Sequence, residues 1–393
     1  MRRPVLLALM ACLALAGCGG LATGAAHHHG SLADVNSLKM LDADHGWAFG
    51  YSLVARTSDG VKTLVDVTPP QVTATTIVDG AFFLDPTRAW VWIAPRNGSS
   101  PATLERTSDG GATWQATGFR TAHDGGVTFI DSDHGWMISG ESVVNHTALQ
   151  NTLWRTTDGG RNWSVVDQRT HKLAIQPNVQ AGECEIGEIG WTSTVHGLAG
   201  LECPFDAPPT VDVTDDGGAL WTQATLPALP ALKGVSLFAG VGPMHVFGHG
   251  QLATVVSRCV GPDPTSCLPY GKLYRSGDGG ASWTSGAVAW GLEDVQMPDR
   301  DHAFASNGCQ TDHCDSPGLL VTSDGGASWQ RLSLPQSLWP NLHSDRIFQF
   351  VSPMVGFALA TSPSIGMGSP DPATYFKTTD GGHTFNVFVP ILV

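Results

Sequence analysis

One octapeptide recurs seven times along the chain, and it limits the possible folds more than any other feature. The copies are T-S-D-G-V-K-T-L at 57–64, T-S-D-G-G-A-T-W at 107–114, T-T-D-G-G-R-N-W at 156–163 and T-D-D-G-G-A-L-W at 214–221. S-G-D-G-G-A-S-W at 276–283, T-S-D-G-G-A-S-W at 322–329 and T-T-D-G-G-H-T-F at 378–385 complete the series. Their aspartates, Asp59, Asp109, Asp158, Asp216, Asp278, Asp324 and Asp380, stand 46 to 62 residues apart. A period of that length means stacked supersecondary units. Within each copy, an aspartate followed by glycines suits a tight reversal: the carboxylate accepts backbone N–H groups and a glycine takes the positive φ. Short β-rich runs flank the turn, as at 153–156 and 163–166. A large apolar residue closes each copy (Leu64, Trp114, Trp163, Trp221, Trp283, Trp329 or Phe385), the kind of side chain one sheet needs to pack on the next.

The octapeptide resembles the Asp-box, or bacterial neuraminidase repeat, written S/T-x-D-x-G-x-x-W/F. Six copies match in full, and Val61 and Leu64 make the first degenerate. The resemblance implies that each copy joins the third and fourth strands of a propeller blade. It is shared by sialidases, xyloglucan-hydrolysing enzymes, sortilin-type receptors and photosystem II assembly factors, in which the boxes lie away from the ligand face. The expected fold is all-β: a single seven-bladed β-propeller of four-stranded antiparallel blades, with blades near 34–68, 79–118, 126–168, 185–226, 233–288, 291–333 and 345–390. By length, 393 residues would suggest two or three domains, but a closed ring is one unit. Few charges (14%) with 47 glycines and 13 tryptophans fit short strands and many turns.

Ahead of the repeats, 1–17 pairs Arg2 and Arg3 with an apolar run that is too short to span a bilayer and suits a signal peptide. The run ends in Leu15-Ala16-Gly17-Cys18, which resembles the bacterial lipobox. That resemblance implies lipidation at Cys18, cleavage before it, and a lipid-anchored, extracytoplasmic protein of a bacterial cell envelope. Residues 18–33 read as a flexible tether, with His27, His28 and His29 as linker composition rather than a metal site, and 34–393 as the propeller. Loss of Arg2 and Arg3 would take the net charge from −14 to −16, a surface that repels nucleic acid. The membrane is a partner through the anchor, and the propeller is expected to act as a monomer.

A second turn also repeats. D-A-D-H-G-W at 42–47 and D-S-D-H-G-W at 131–136 have echoes at 85–90, 195–198, 299–304 and 353–357, and in the fifth repeat at 244–247. Paired Asp and His could suggest metal or acid–base chemistry, but side chains of this kind bond their own turn backbone, and their recurrence marks scaffold.

If strands alternate up and down, both repeated turns share one face. The opposite face then receives the irregular loops 94–102, 139–151, 248–271, 306–318 and 361–373, with the linkers 116–125 and 167–185, and binding is expected there. Six cysteines remain beyond Cys12 and Cys18, and they fall as close pairs: Cys184 with Cys203, Cys259 with Cys267, and Cys309 with Cys314. An even count in an exported chain favours disulfides, although six cysteines allow 15 pairings. The alternative is a metal site of Cys309, His313 and Cys314 with His302 nearby.

Two enzyme classes carry this repeat. A sialidase needs an arginine clamp and a Tyr–Glu pair; Arg96, Arg120, Arg169, Arg258 and Tyr270 are available, but the F/Y-R-I-P motif is missing and Arg346-Ile347 is a misplaced echo. A xyloglucanase needs two opposed carboxylates, for which Glu141, Glu183, Glu185, Asp263 and Asp312 are candidates without a motif. The paired H-G-W and T-x-D-G-G-x-x-W turns resemble most the photosystem II assembly/stability factor-like propellers, which implies partner binding without chemistry. No catalytic residue, metal or cofactor is assigned. The expectation is a non-enzymatic binding or assembly scaffold for a protein or glycan, with Trp290 and Trp339 as possible stacking residues. The alternative is a glycoside hydrolase.

Overall fold

The computed structural model describes residues 30–98, 101–121, 126–143, 148–172, 185–204, 210–230, 235–261, 268–307, 318–334, 347–360 and 373–393. They form seven four-stranded antiparallel blades around a ring. Blade one comprises β1 (Val35–Met40), β2 (Gly46–Gly50), β3 (Leu53–Thr57) and β4 (Thr63–Asp66). Blade two holds β5 (Thr76–Phe83), β6 (Ala89–Pro95), β7 (Ala102–Thr107) and β8 (Gln115–Thr121), and blade three β9 (Gly126–Phe129), β10 (Gly135–Val143), β11 (Ala148–Thr156) and β12 (Ser164–Lys172). Blade four follows with β13 (Glu185–Trp191), β14 (Gly197–Pro204), β15 (Thr210–Thr214) and β16 (Thr222–Ala224).

Blade five has a broken inner strand, β17 (Val235–Val241) and β18 (His245–Gly248), both pairing with β19 (Gln251–Gly261). Pro243 in the break has no N–H to offer the ladder. Then come β20 (Leu268–Ser276) and an outer strand also in two pieces, β21 (Thr284–Ser285) and β22 (Ala289–Trp290). Blade six is β23 (Glu293–Gln296), β24 (Ala303–Asn307), β25 (Gly318–Thr322) and β26 (Gln330–Ser333); blade seven is β27 (Ile347–Phe350), β28 (Gly356–Ala360), β29 (Thr374–Thr378) and β30 (Asn386–Phe388). The far end of β14 also pairs with β17, Cys203 opposite Ala239, so blades four and five share one sheet.

The octapeptide is a self-contained hydrogen-bonded corner. In the second blade the Thr107 hydroxyl donates to Asp109 Oδ1 at 2.8 Å and accepts the Gly111 amide at 2.9 Å. Asp109 then accepts the Thr113 amide on Oδ1 and its hydroxyl on Oδ2, at 2.9 and 2.6 Å. The same hydroxyl-to-carboxylate bond recurs at Asp59, Asp158, Asp216, Asp278, Asp324 and Asp380. Both glycines carry positive φ, 74° and 85° at Gly110 and Gly111. In blade one Val61 takes the second glycine's place at φ 69°, a strained angle for a β-branched residue, and its side chain is fully buried in the blade one–seven core.

These bonds hold several corner carboxylates in the ionised form. The hydroxyl and amide of the residue four positions on, together with the leading Thr or Ser, bring Asp109, Asp278, Asp324 and Asp380 down from 3.8 to about 2. A folded pKa below the unfolded one contributes stability above the unfolded value, and that stability is lost as pH falls through the folded value. The melting temperature should therefore hold steady with respect to these groups from neutral pH down to about pH 5 and drop between roughly pH 4 and 2. Asp109→Asn should lower the neutral-pH melting temperature and flatten part of that acid limb. A melting curve unchanged by Asp109→Asn across that range would show that the corner carboxylate does not contribute.

Each corner is docked on the first turn of its own blade. The first glycine's amide donates to that turn's carbonyl: Gly60 to Asp44, Gly110 to Thr87, Gly159 to Asp133, Gly217 to Val195, Gly325 to Asp301 and Gly381 to Met354, at 2.8 to 3.0 Å. Both repeated turns thus occupy one face, as the strand alternation predicts. The aspartates of the first turns bond their own backbone: Asp42 accepts the amides of Asp44 and His45, and His45 Nδ1 lies 3.0 Å from its carboxylate. His134 with Asp131 and His302 with Asp299 repeat the arrangement.

In the fifth repeat the turn lies elsewhere than the 244–247 echo suggests. That segment belongs to the inner strand, and the turn is Gly248-His249-Gly250, whose Gly250 carbonyl accepts the Gly279 amide at 3.0 Å. Ala253, cross-strand from Arg275, stands there in the position of the tryptophan.

The Gly-Trp half of the first turn builds the core between blades. The tryptophan stacks on the inner-strand ring of the next blade: Trp47 on Phe83, Trp90 on Phe129 at 3.7 Å and 7°, and Trp136 on Trp191 at 3.8 Å and 9°. Phe304 on Phe350 repeats this between blades six and seven at 3.5 Å. The glycine makes room for the ring of its own blade, since a Cβ at Gly135 would lie 2.5 Å from the Phe129 ring and one at Gly356 2.7 Å from Phe350. Indole N–H groups then bond across to the next blade's corner face, Trp47 to the Asp85 carbonyl, Trp90 to Gly159 and Trp136 to Gly217.

A cation just before the octapeptide adds a second stitch. Arg56, Arg106, Arg155, Arg275 and Lys377 each place their charged end where the first corner glycine of the following blade, Gly110, Gly159, Gly217, Gly325 or Gly60, would carry a Cβ. Val213 stands in that position in blade four, and His196 substitutes, its Nε2 2.8 Å from the Gly279 carbonyl and Nδ1 2.6 Å from Asp215.

The chain closes the ring without exchanging a strand inside a blade. The side-chain amide of Gln349 on β27 accepts the Met40 amide and donates to the Met40 carbonyl, each at 2.6 Å. Beyond β30, β31 (Ile391–Leu392) crosses to blade one and pairs in parallel with β4.

Candidate functional site

The face opposite the corners has an uneven rim. In blade one β2 turns directly into β3, Gly50 opposite Leu53. In blade three the ladder between β10 and β11 runs unbroken from Gly135–Thr156 to Val143–Ala148. In blade five β19 is 11 residues long and pairs with β20 through Val260–Leu268. At about 3.3 Å per residue, such hairpins reach ~30 Å. Much of 139–151, 248–271 and 116–125, and the described start of 167–185, read from sequence as loop or linker, is therefore strand. Register explains the difference: cross-strand pairing continued past the point where apolar alternation faded.

The residues proposed for a sialidase site are spread over three blades. Arg96 and Arg120 lie on blade two and are exposed, Arg169 on β12 of blade three, and Arg258 on β19 of blade five. Arg258 and Tyr270 are cross-strand partners. Tyr270 is buried, however, and its hydroxyl donates to the Pro230 carbonyl at 2.6 Å, while that of Tyr274 donates to the Pro227 carbonyl at 2.6 Å. The two phenols clamp the linker between blades four and five. Burial pushes both up, Tyr274 to about 12, against the opposing pull of Arg258. A phenol held neutral in a structural bond is a poor nucleophile. Trp290 sits on β22 opposite Tyr270, its ring 5.5 Å away and tilted by 41°. It caps the end of blade five while remaining partly exposed.

Among the proposed acids, Glu141 falls within β10 and Glu185 begins β13. Glu183, Asp263, Asp312, Trp339 and Arg346 lie outside the described residues, and Ile347 begins β27. Cys18, Cys184, Cys267, Cys309, Cys314 and His313 are also outside them, as are His27, His28 and His29. The backbone places Cys203 and Cys259 near the ends of β14 and β19 that point away from the corners. His302 lies on the corner face, bonded to Asp299, while the cysteines and histidine expected to join it at a metal are outside the described residues. Among the described residues no group of three or more His, Cys, Asp or Glu could hold a metal ion.

Two features were missed in the sequence. The inner strand of blade five carries His245, whose imidazole burial pushes down to about 4; its Nε2 lies 3.1 Å from the Val295 carbonyl. It is neutral at pH 7 and serves as a tie between blades five and six. The second is a cavity of about 400 Å³ at the seam of blades seven and one, lined by Lys62, Lys377, Asn386, Phe388, Val389 and Ile391 among others. The alternation of apolar residues after the last octapeptide was its signal.

No protein-family model matches the chain, and no curated protein matches it. Solved structures do. YCF48, solved bound to a D1 peptide, is 15% identical over 90% of both chains with a TM-score of 0.43. An alpha-L-arabinofuranosidase of Fusarium graminearum is 10% identical over 79% of this chain and 95% of its own, with a TM-score of 0.46. Prolyl oligopeptidase B from Galerina marginata is 10% identical over 90% of this chain and 50% of its own, with a TM-score of 0.50. At such identities the likeness is one of fold.

Proposed function

We infer that this chain is a lipid-anchored extracytoplasmic propeller that binds a protein or glycan partner through the face opposite its corners. The observation that carries this reading is the division of labour between the two faces. The stitches described above, which are repeated from blade to blade, gather on the corner side. The opposite rim is made of unrepeated hairpins of unequal reach on a rigid base, the arrangement in which binding segments are usually found. On this reading the octapeptides place the chain among Asp-box propellers that act by binding, disulfides of Cys184–Cys203, Cys259–Cys267 and Cys309–Cys314 brace the rim, and Cys18 carries the anchor. The bond from Tyr270 to Pro230 counts against the sialidase-like alternative.

The anchor is tested by cell fractionation. Cys18→Ala should move the protein out of the membrane fraction and abolish labelling by a clickable fatty acid. Full membrane retention of the variant without labelling would remove the lipid anchor from this account. The binding mode is tested by incubating the protein with sialosides and β-glucans: no turnover is expected, and release of sugar would replace it with the hydrolase alternative.

A further inference from the structure

The geometry points to a second docking surface, on the outer rim at the seam, that receives an extended polypeptide segment bearing aliphatic side chains and a carboxylate. Residues 387–393 read V-F-V-P-I-L-V. Val387, Val389, Ile391 and Val393 are 57, 80, 65 and 64% exposed, a row of alternate aliphatic side chains facing water. Such a row on one edge is unusual for a surface that has no partner. It borders the 400 Å³ cavity, whose lining includes the two ammonium groups of Lys62 and Lys377 and no carboxylate. Lys377 is held over the Phe357 ring at 4.8 Å. Lys62 is exposed and, among the described residues, has no side-chain partner.

The backbone supplies the third element. Ile391 and Val393 donate their amides to the carbonyls of Lys62, just before β4, and of Leu64 within it, and the Asp66 amide returns to the Val393 carbonyl. In a parallel ladder the intervening Leu392 then turns its N–H and C=O away from β4. An incoming strand can pair with that open edge, lay alternate aliphatic side chains on Val389 and Ile391, and bring a carboxylate to Lys62. Charge selects this occupant. A second copy would bring lysine against lysine, whereas an acidic peptide is drawn to the lysine pair at the seam. The surface lies on the outer edge of blade one and is independent of the opposite-face binding proposed above.

The test uses the full chain and two fluorescein-labelled alternating Val-Thr peptides, one ending in two aspartates and one in two lysines, read by fluorescence anisotropy. The acidic peptide should bind about tenfold more tightly than the basic one. Lys62→Glu should abolish that preference, and Val389→Asp should weaken binding about tenfold, both with unchanged thermal midpoints because the side chains are exposed. Hydrogen exchange should show the Leu392 amide protected by the acidic peptide. Equal affinities, or binding of neither peptide, would overturn the proposal. So would a concentration-dependent dimer that Val389→Asp dissolves, or protection of 387–393 by phosphatidylglycerol vesicles and not by peptide.

Discussion

Trp90→Ala is expected to destabilise the ring by about 3–5 kcal/mol, the range for removing a large aromatic side chain from a core. The indole is buried, stacks on Phe129 of blade three at 3.7 Å and donates to the Gly159 carbonyl at 3.0 Å. Its loss opens a cavity between two blades and leaves that carbonyl without the indole donor. Trp90→Phe retains a ring in the stack and gives up the hydrogen bond, so it should cost less, near ~1–2 kcal/mol. Leu220→Ala, at a side chain that is 76% exposed on a corner, should change stability by less than about 0.5 kcal/mol. Urea denaturation of the three variants measures the differences. A cost below ~1 kcal/mol for Trp90→Ala would mean that the stack and cross-blade bond are not what holds blades two and three together.

Gly159→Ala should be nearly as damaging, at roughly 2–5 kcal/mol, because two penalties fall on one methyl group. The glycine has a φ of 73°, which an alanine adopts only with strain. The added Cβ would collide with the Arg106 guanidinium and lie 2.7 Å from the Ser132 carbonyl, a backbone atom that cannot rotate away. Gly98→Ala separates the terms: φ there is 65°, but no atom lies within 4 Å of the Cβ position, so only the conformational cost of ~1 kcal/mol remains. Combining Gly159→Ala with Arg106→Ala should recover part of the loss. Failure to recover any would place the whole penalty in the backbone angle and the Ser132 contact, and would remove the arginine cradle from the explanation.

These two variants probe parts of the fold that were legible to different degrees. The turn aspartates and glycines could be read directly, since Thr107, Asp109, Gly111 and Thr113 bond to one another within six residues. The purpose of the H-G-W tryptophans was not legible. Trp90 meets Gly159 across 69 residues, and nothing around either residue announces the other. Arg106 read as an ordinary strand residue, although a cation directly before the octapeptide recurs in five of the seven copies. That signal was present and becomes meaningful only when the next blade is seen to supply a glycine. The fifth repeat misled for a related reason. Its tryptophan position holds Ala253, so the eye settles on His245, which lies one strand earlier and bonds to blade six.

The candidate sites divide in the same way. Tyr270 and Arg258 could be picked out as residue types, but only the packing of the 227–230 linker shows the phenol to be a clamp. The seam cavity needs β31 to cross the ring before Lys62 and Ile391 become neighbours.

The amino-acid sequence alone determines how many blades there are, where each is cornered and which side the corners share. Those properties follow from hydrogen bonds that span two to four residues and from strand alternation, and local chemistry repeats wherever local sequence repeats. How the ring is locked was decided by the tertiary structure. Gln349 finds the Met40 backbone 309 residues away, and β31 chooses β4 over the other outer edges. Such contacts form only after all seven blades are stacked and the ends of the propeller brought together.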